Sequence, residues 1–260
     1  MSEEACAAAQ IDEIIDLDSE GDGVTKINGR RVPLALPGDR VRFCDGGPRI
    51  EPLSPHRTTP CCPLFGQCGG CRVQHLADDY YSAWKVGCLT SALAAAGLTP
   101  PVAPMARAPF ASRRRMTLTA QRRGKSVAVG YYARASHEVI DVAACPALDP
   151  RLAQALPALR ETVRQAAQDT GEARLVATLC DNGVDAALTR AAQRRDRHNR
   201  RKKPKRRVNL TLPAAPSIIR ISDDGETLIA ADTPFVRFDT VSVAFPAGAF
   251  LQPSLAGEKA

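Results

Sequence analysis

Aromatic side chains are scarce: one Trp, four Tyr and seven Phe make up 5% of 260 residues, so aliphatic side chains must fill most of any core. No apolar run approaches the ~20 residues a membrane span needs, so no spanning helix and no membrane partner are expected. The opening Met1-Ser-Glu-Glu is acidic with no apolar core behind it, so no secretory leader is expected. There is no internal repeat. The expectation is a soluble, cytoplasmic monomer. With 44% hydrophobic residues over this length, two domains with real cores are expected.

Cysteine, by contrast, is plentiful. There are nine, many for a compartment where disulfides rarely persist. Cys61, Cys62, Cys68 and Cys71 fall within eleven residues, and such clustering reads as metal binding before cross-linking. Five residues separate Cys62 from Cys68 and two separate Cys68 from Cys71. Gly69-Gly70 lets the backbone fold tightly there, so that amide N–H groups can point at sulfur. A four-thiolate cluster carries net negative charge and needs such donors when buried. Cys145, followed by Pro146, is the best candidate for a fourth ligand. Cys61 could stand in for Cys62. Zinc is the rival metal, although zinc sites usually bring two Cys-x-x-Cys knuckles and here there is one. A thioredoxin-like pair at Cys68 and Cys71 would want a preceding buried strand, and Leu64-Phe-Gly66 is a poor one. Cys6, Cys44, Cys88 and Cys180 read as small hydrophobes.

Along the chain, residues 11–43 alternate short β-rich runs with turns, including an Asn28-Gly29 hairpin signal, and predict a small antiparallel barrel. Residues 45–60, with Gly46-Gly47 and four prolines, predict a linker. A helical pattern runs from 74 to 97 and stops at Gly97 and Pro100-Pro101. Strands are predicted at 116–121, 127–132 and 137–142, a helix at 150–169, and strands at 174–180, 184–189, 217–222 and 227–230.

The net charge of +7 is concentrated. Residues 190–207 hold eleven Lys or Arg and one Asp, a local +10, which leaves the rest of the chain at −3 (7 − 10). Such a run is either a solvated segment or a phosphate-neutralising one.

The segment Cys62-Pro-Leu-Phe-Gly-Gln-Cys68-Gly-Gly-Cys71-Arg-Val-Gln74-His75-Leu76, with Lys85 downstream, resembles the signature of bacterial RNA uracil-5-methyltransferases. The closest type is the iron–sulfur enzyme that makes 5-methyluridine in 23S ribosomal RNA. The resemblance implies a 4Fe-4S cluster on Cys62, Cys68, Cys71 and Cys145, S-adenosylmethionine as methyl donor, and an RNA partner, ribosomal by type. Residues 11–43 are similar to the family's TRAM domain, an RNA-binding barrel of oligonucleotide-binding type. Arg113-Arg-Arg115 and the run from His137 to Pro146 resemble its central domain. Phe250-Leu-Gln252 resembles the segment whose glutamine contacts the cofactor, which makes Gln252 a candidate cofactor residue. Arg113, Arg115, Arg122, Arg123 and Lys125 are candidate RNA contacts.

The fold class so implied is mixed: a small β-barrel at 1–50, a linker at 51–61, and an α+β iron–sulfur domain at 62–242 with a basic insertion at 190–207. Residues 243–260 would begin a doubly wound methyltransferase domain that is missing after residue 252. In the family a cysteine adds to C6 of a flipped-out uracil, making C5 nucleophilic toward the methyl group. No residue here stands in that nucleophile's context, neither Cys88 nor Cys180, and no Gly-rich strand-to-helix turn follows Gln252. The expectation is that this chain alone does not transfer methyl groups. A stand-alone iron–sulfur or zinc RNA-binding module is the alternative.

Overall fold

The computed structural model describes residues 10–190, 215 and 217–260. Cys6 and nearly all of the basic run lie outside them. The chain divides into two compact units, one of residues 1–66 and 71–105, the other of 67–70 and 106–260. These limits do not coincide with boundaries at 50, 61 and 242. Among the described residues no helix is long and apolar enough to cross a membrane.

The first unit contains a five-stranded antiparallel sheet in the order β3-β2-β1-β4-β5. Its strands are β1 (Ile11–Leu17), β2 (Gly23–Thr25), β3 (Arg31–Val32), β4 (Arg40–Cys44) and β5 (Gly47–Glu51). One half of β1 pairs with β4, through Ile11 to Arg42, and the other with β2, through Ile14 to Thr25. Alternation along β1 buries Asp12 and Ile14 and exposes Ile11 and Glu13. Ile14, Val32, Ala35 and Val41 form the sheet's small core. Strand pairing among the described residues leaves β3 and β5 as edges, so the expected barrel is not closed by hydrogen bonds. Two expectations are corrected here. β5 lies inside the expected linker, because Gly47 at φ 105° turns the chain back on β4. Cys44 is disulfide-bonded and not a small hydrophobe.

Helix α1 (Asp78–Ala95) buries none of its own residues fully. Its first turns lay Tyr80, Tyr81 and Trp84 on Leu17, Leu36 and Leu76, and the Trp84 indole N–H donates to the Asp18 carbonyl at 3.1 Å. The scarce aromatics are thus spent on joining helix to sheet. Buried Asp39 accepts from the Leu36 and Ser54 amides at 2.7 and 2.9 Å and from Arg57, which ties residues 54–57 to the sheet.

The second unit is built on a seven-stranded sheet in the order β12-β11-β10-β9-β6-β7-β8. Its strands are β6 (Arg115–Arg123), β7 (Ser126–Tyr132), β8 (Val139–Asp141), β9 (Glu172–Leu179), β10 (Val184–Arg190), β11 (Ile218–Asp223) and β12 (Glu226–Ala230). Every neighbouring pair is antiparallel except β10 and β11; a parallel pair needs a long connection, and residues 191–217 supply it. Helix α2 (Pro150–Thr170) covers one face. Asp149 caps it by accepting from the Arg151 amide at 2.9 Å, with Pro150 in its first turn. Leu152, Leu156, Leu159 and Val163 meet Leu118, Val129, Leu175, Ala177 and Leu188 in the main core. Buried Arg160 reaches across to the Val129 and Val142 carbonyls and to Asp141.

Beyond the sheet, β13 (Phe235–Phe238) and β14 (Val241–Ala244) form a separate hairpin, and a last turn, α3 (Leu255–Lys259), closes the chain. Residues 243–260, expected to open a further domain, pack within this unit. Phe245 and Leu251 pack with Cys180 and Val236. Phe250 to Ala260 reads as an unpaired stub in sequence because Arg114, Arg115 and Cys180, which meet this stretch, lie far earlier in the chain.

Candidate functional site

The loop 67–70 reaches the C-terminal end of β7. Cys68 bridges Ala133, and the Gly69 amide donates to the Tyr132 carbonyl at 2.9 Å. A Cβ on Gly69 would sit 2.7 Å from that same carbonyl oxygen, so the approach requires glycine. The Gly70 amide points at Cys68 Sγ at 3.4 Å, the kind of donor a thiolate ligand needs. A Cβ on Gly70 would meet that sulfur at 3.4 Å and the Tyr131 ring at 3.9 Å.

Cys145 follows β8 and packs against the main core. Cys145 and Cys68 both lie near enough to Tyr131 to bear on its phenol. Burial, before any charge, pushes the Tyr131 phenol above its ordinary value; Cys145 and Cys68 add to this and Arg113 opposes it. The phenol therefore stays protonated and can act as a donor.

The structure thus brings two of the four expected ligands, Cys68 and Cys145, to one phenol. Cys62 and Cys71 belong to the other unit. Among the described residues no group of three or more His, Cys, Asp or Glu is gathered closely enough to hold a metal ion. Cys61, the alternative to Cys62, is exposed and hydrogen-bonded to Gln74 Oε1 at 3.6 Å. The tight turn at Gly69-Gly70 and the Gly70 amide suit Cys68 alone as a thiolate.

Arg113, Arg114 and Arg115 have separate tasks. The Arg113 amide donates to the Ala147 carbonyl, and its own carbonyl accepts from Asp149, tying the Cys145 region to the start of β6. Arg114 is missing from the candidate residues read in the sequence. It is buried; its amide donates to the Pro253 carbonyl at 2.8 Å, Nε donates to the Gln252 carbonyl at 3.0 Å, and Nη2 pairs with Glu258. Gln252 therefore has a clamped backbone and an exposed side chain. Arg115 lies over the exposed Phe250 ring at 5.3 Å.

The other candidate RNA contacts differ in their freedom. Arg122 donates to the Gln168 carbonyl, and Arg123 to Glu138 and the Val139 carbonyl, so both already hold elements of the unit. Lys125 stands exposed in the β6–β7 turn. Cys88 is half-buried on α1. The Cys180 thiol is pushed up to about 12, first by burial and then by Asp185, so at neutral pH it is a thiol and a poor nucleophile.

No family model matches the chain. Its relatives are RNA methyltransferases. It is 32% identical over 253 residues to an uncharacterized RNA methyltransferase of Brucella suis, covering 95% of this chain and 59% of that protein. With an uncharacterized RNA methyltransferase of Caulobacter vibrioides it shares 34% over 256 residues, 94% of this chain and 61% of the relative. It is also 35% identical over 167 residues to the 23S rRNA (uracil(1939)-C(5))-methyltransferase RlmD of Dichelobacter nodosus, covering 58% of this chain and 39% of that enzyme.

In fold it is similar to the tRNA (uracil-54, C5)-methyltransferase of Pyrococcus abyssi, solved in complex with S-adenosyl-L-homocysteine. The TM-score is 0.64 at 18% identity, over 95% of this chain and 62% of that one. The chain thus spans about three-fifths of the length of the proteins it matches along its whole extent. The match takes in 95% of the chain within a methyltransferase fold, which overturns the expectation of a methyltransferase domain missing after residue 252. The expected inactivity of the chain has no support in these relatives.

Proposed function

We propose that the chain acts in S-adenosylmethionine-dependent C5-methylation of uracil in RNA, with 23S ribosomal RNA as the substrate class. The observation that carries this is similarity to RNA methyltransferases along 94–95% of the chain, joined by 35% identity to a uracil-C5 enzyme of 23S rRNA. S-adenosylmethionine would supply the methyl group. Gln252, held at its backbone by Arg114, would face that cofactor with its exposed amide. The first unit's strands would serve as a TRAM-like RNA-binding surface. Cys62, Cys68, Cys71 and Cys145 would hold a 4Fe-4S cluster whose role is to tie the loop at 62–71 to the strand end at 145. The tight turn at Gly69-Gly70 and the amide donor to Cys68 support Cys68 as one of those ligands.

The test is methyl transfer from radiolabelled S-adenosylmethionine to unmodified 23S rRNA by anaerobically prepared protein, with the product identified as 5-methyluridine. Incorporation at a base other than uracil, or at a uracil position other than C5, would refute the reading. Iron and acid-labile sulfide in the same preparation test the cluster, and a colourless protein holding zinc would replace iron. A second reading, an RNA-binding module without catalysis, is favoured by one observation: Cys180, the buried cysteine of the second unit, is held as a thiol. Tight RNA binding with no methyl incorporation would select it.

A further inference from the structure

The described arginines of the first unit are of two kinds. Arg31, Arg57 and Arg72 pair with Asp18, Asp39 and Glu20, and Arg30 lies over the Phe43 ring at 3.8 Å. Arg40, Arg42 and Arg49 have no acidic partner at ion-pair distance among the described residues, and all three sit on the β4–β5 ribbon. Its register explains this. Val41 and Ile50 pair toward the small core, so alternation turns Arg40, Arg42, Arg49 and Glu51 to the outer face. There Arg40 stands opposite Glu51, but Arg42 stands opposite Arg49. The other neighbour of Arg42, across β1, is exposed Ile11. Glu13 and Glu51 both flank Arg40, and Glu13 already holds Lys26 at 3.4 Å. Exposed Asp45 lies in the turn beyond.

Like charges directly opposite each other on one face of a sheet destabilise it, so this pair weakens the fold and is left open to an anion from outside. We propose that Arg42 and Arg49 form a phosphate clamp for RNA: two guanidinium groups, one from each strand, take the backbone of an RNA strand laid across the outer face of β1, β4 and β5. This rests on the RNA reading above and gives it a place in the first unit. A guanidinium meets a phosphate with two parallel hydrogen bonds, and the charges are complementary. Ile11, 42% exposed beside Arg42, adds apolar surface that a sugar or base covers and a bare anion does not. Such a contact fixes the position of the RNA without reading its sequence. Arg122 and Arg123 are the contrast, already spent on the Gln168 and Val139 carbonyls and on Glu138.

The experiment follows binding of a fluorescently labelled, unmodified 23S rRNA fragment to the whole chain by anisotropy across a salt series. Arg42→Gln with Arg49→Gln should weaken binding about tenfold or more near physiological salt. It should also flatten the slope of log affinity against log salt by about two, one phosphate for each guanidinium. Arg151→Gln with Arg164→Gln, the same change of charge placed on α2, should leave both unchanged. Arg49→Glu separates binding from folding: it sets an acid opposite Arg42, so the urea midpoint should rise while RNA affinity falls. Unaltered affinity and slope in Arg42→Gln with Arg49→Gln, or an equal loss in the α2 control, would overturn the clamp and leave the RNA reading standing. A lower urea midpoint in Arg49→Glu would assign Arg49 to the fold and overturn it as well. An unaltered protein that does not bind the fragment would sink the RNA reading first, and this inference with it.

Discussion

Gly130 stands where β7 and β8 cross most closely: a Cβ there would lie 2.1 Å from the Ile140 carbonyl oxygen and 2.9 Å from the Val142 amide. Backbone cannot yield as a side-chain tip can, so Gly130→Ala must push β8 away and loosen the Arg160 contacts to Val129 and Val142. We expect a loss of about 3 kcal/mol, the upper range for overpacking, read as a lower urea midpoint at unchanged slope. Cys180 makes a different residue-scale prediction. Its folded value, about 12 against an ordinary 9.0, means that the unfolded chain gives up this proton first. Its contribution to stability is intact below about pH 9 and is lost as pH rises toward 12. Cys180→Ala should flatten that part of the stability–pH curve. In the native protein iodoacetamide at pH 8 should label exposed Cys61 and spare Cys180, as read by peptide mass spectrometry.

At the scale of elements, the segment after β14 is held from several sides. Arg220 donates to the Phe245 carbonyl at 2.7 Å, Gly248 to Asp185, and Arg114 to Gln252 and Glu258. Arg114→Met would leave Glu258 without its cation and the Gln252 carbonyl without its donor, at a cost of about 3 kcal/mol for a mostly buried pair. Amides from 251 to 258 should then lose hydrogen-exchange protection, while those of β6 and β9 keep theirs. The charge-reversed pair Arg114→Glu with Glu258→Arg should recover the ion pair but not the contact to Gln252. These contacts also explain which elements the sequence made legible. The strands from Met116 to Ala230 and α2 were readable in the local sequence, within a few residues of their ends. The β13–β14 hairpin was not, because its turn uses Asp239 at φ 56° without glycine. β5 was hidden by the glycine pair and prolines around it.

For the whole molecule, the charge is the property that reaches furthest. The +10 run lies almost entirely outside the described residues, and whether it takes part in the proposed RNA binding can be measured. Each phosphate neutralised releases counterions and steepens the fall of affinity with salt. Replacing the basic residues from Arg194 to Arg207 with Ser should flatten the slope of log affinity against log salt by up to about nine, from ten charges at ~0.9 each. An unchanged slope in filter binding to an rRNA fragment would show that this run makes no phosphate contact.

What the sequence determined by itself was local or numerical: the cysteine spacing, the glycine pair between Cys68 and Cys71, the strand alternation, the cap at Asp149 and the placement of charge. These are written in neighbouring residues, and short-range sterics and hydrogen bonding read them directly. Only the tertiary structure decided that Cys68 meets Ala133 just beyond β7, that Arg114 grips Gln252 and Glu258 across more than a hundred residues, and that residues 243–260 pack within the second unit. Such pairings depend on which strands become neighbours, and that follows from the burial of whole faces and not from any local pattern.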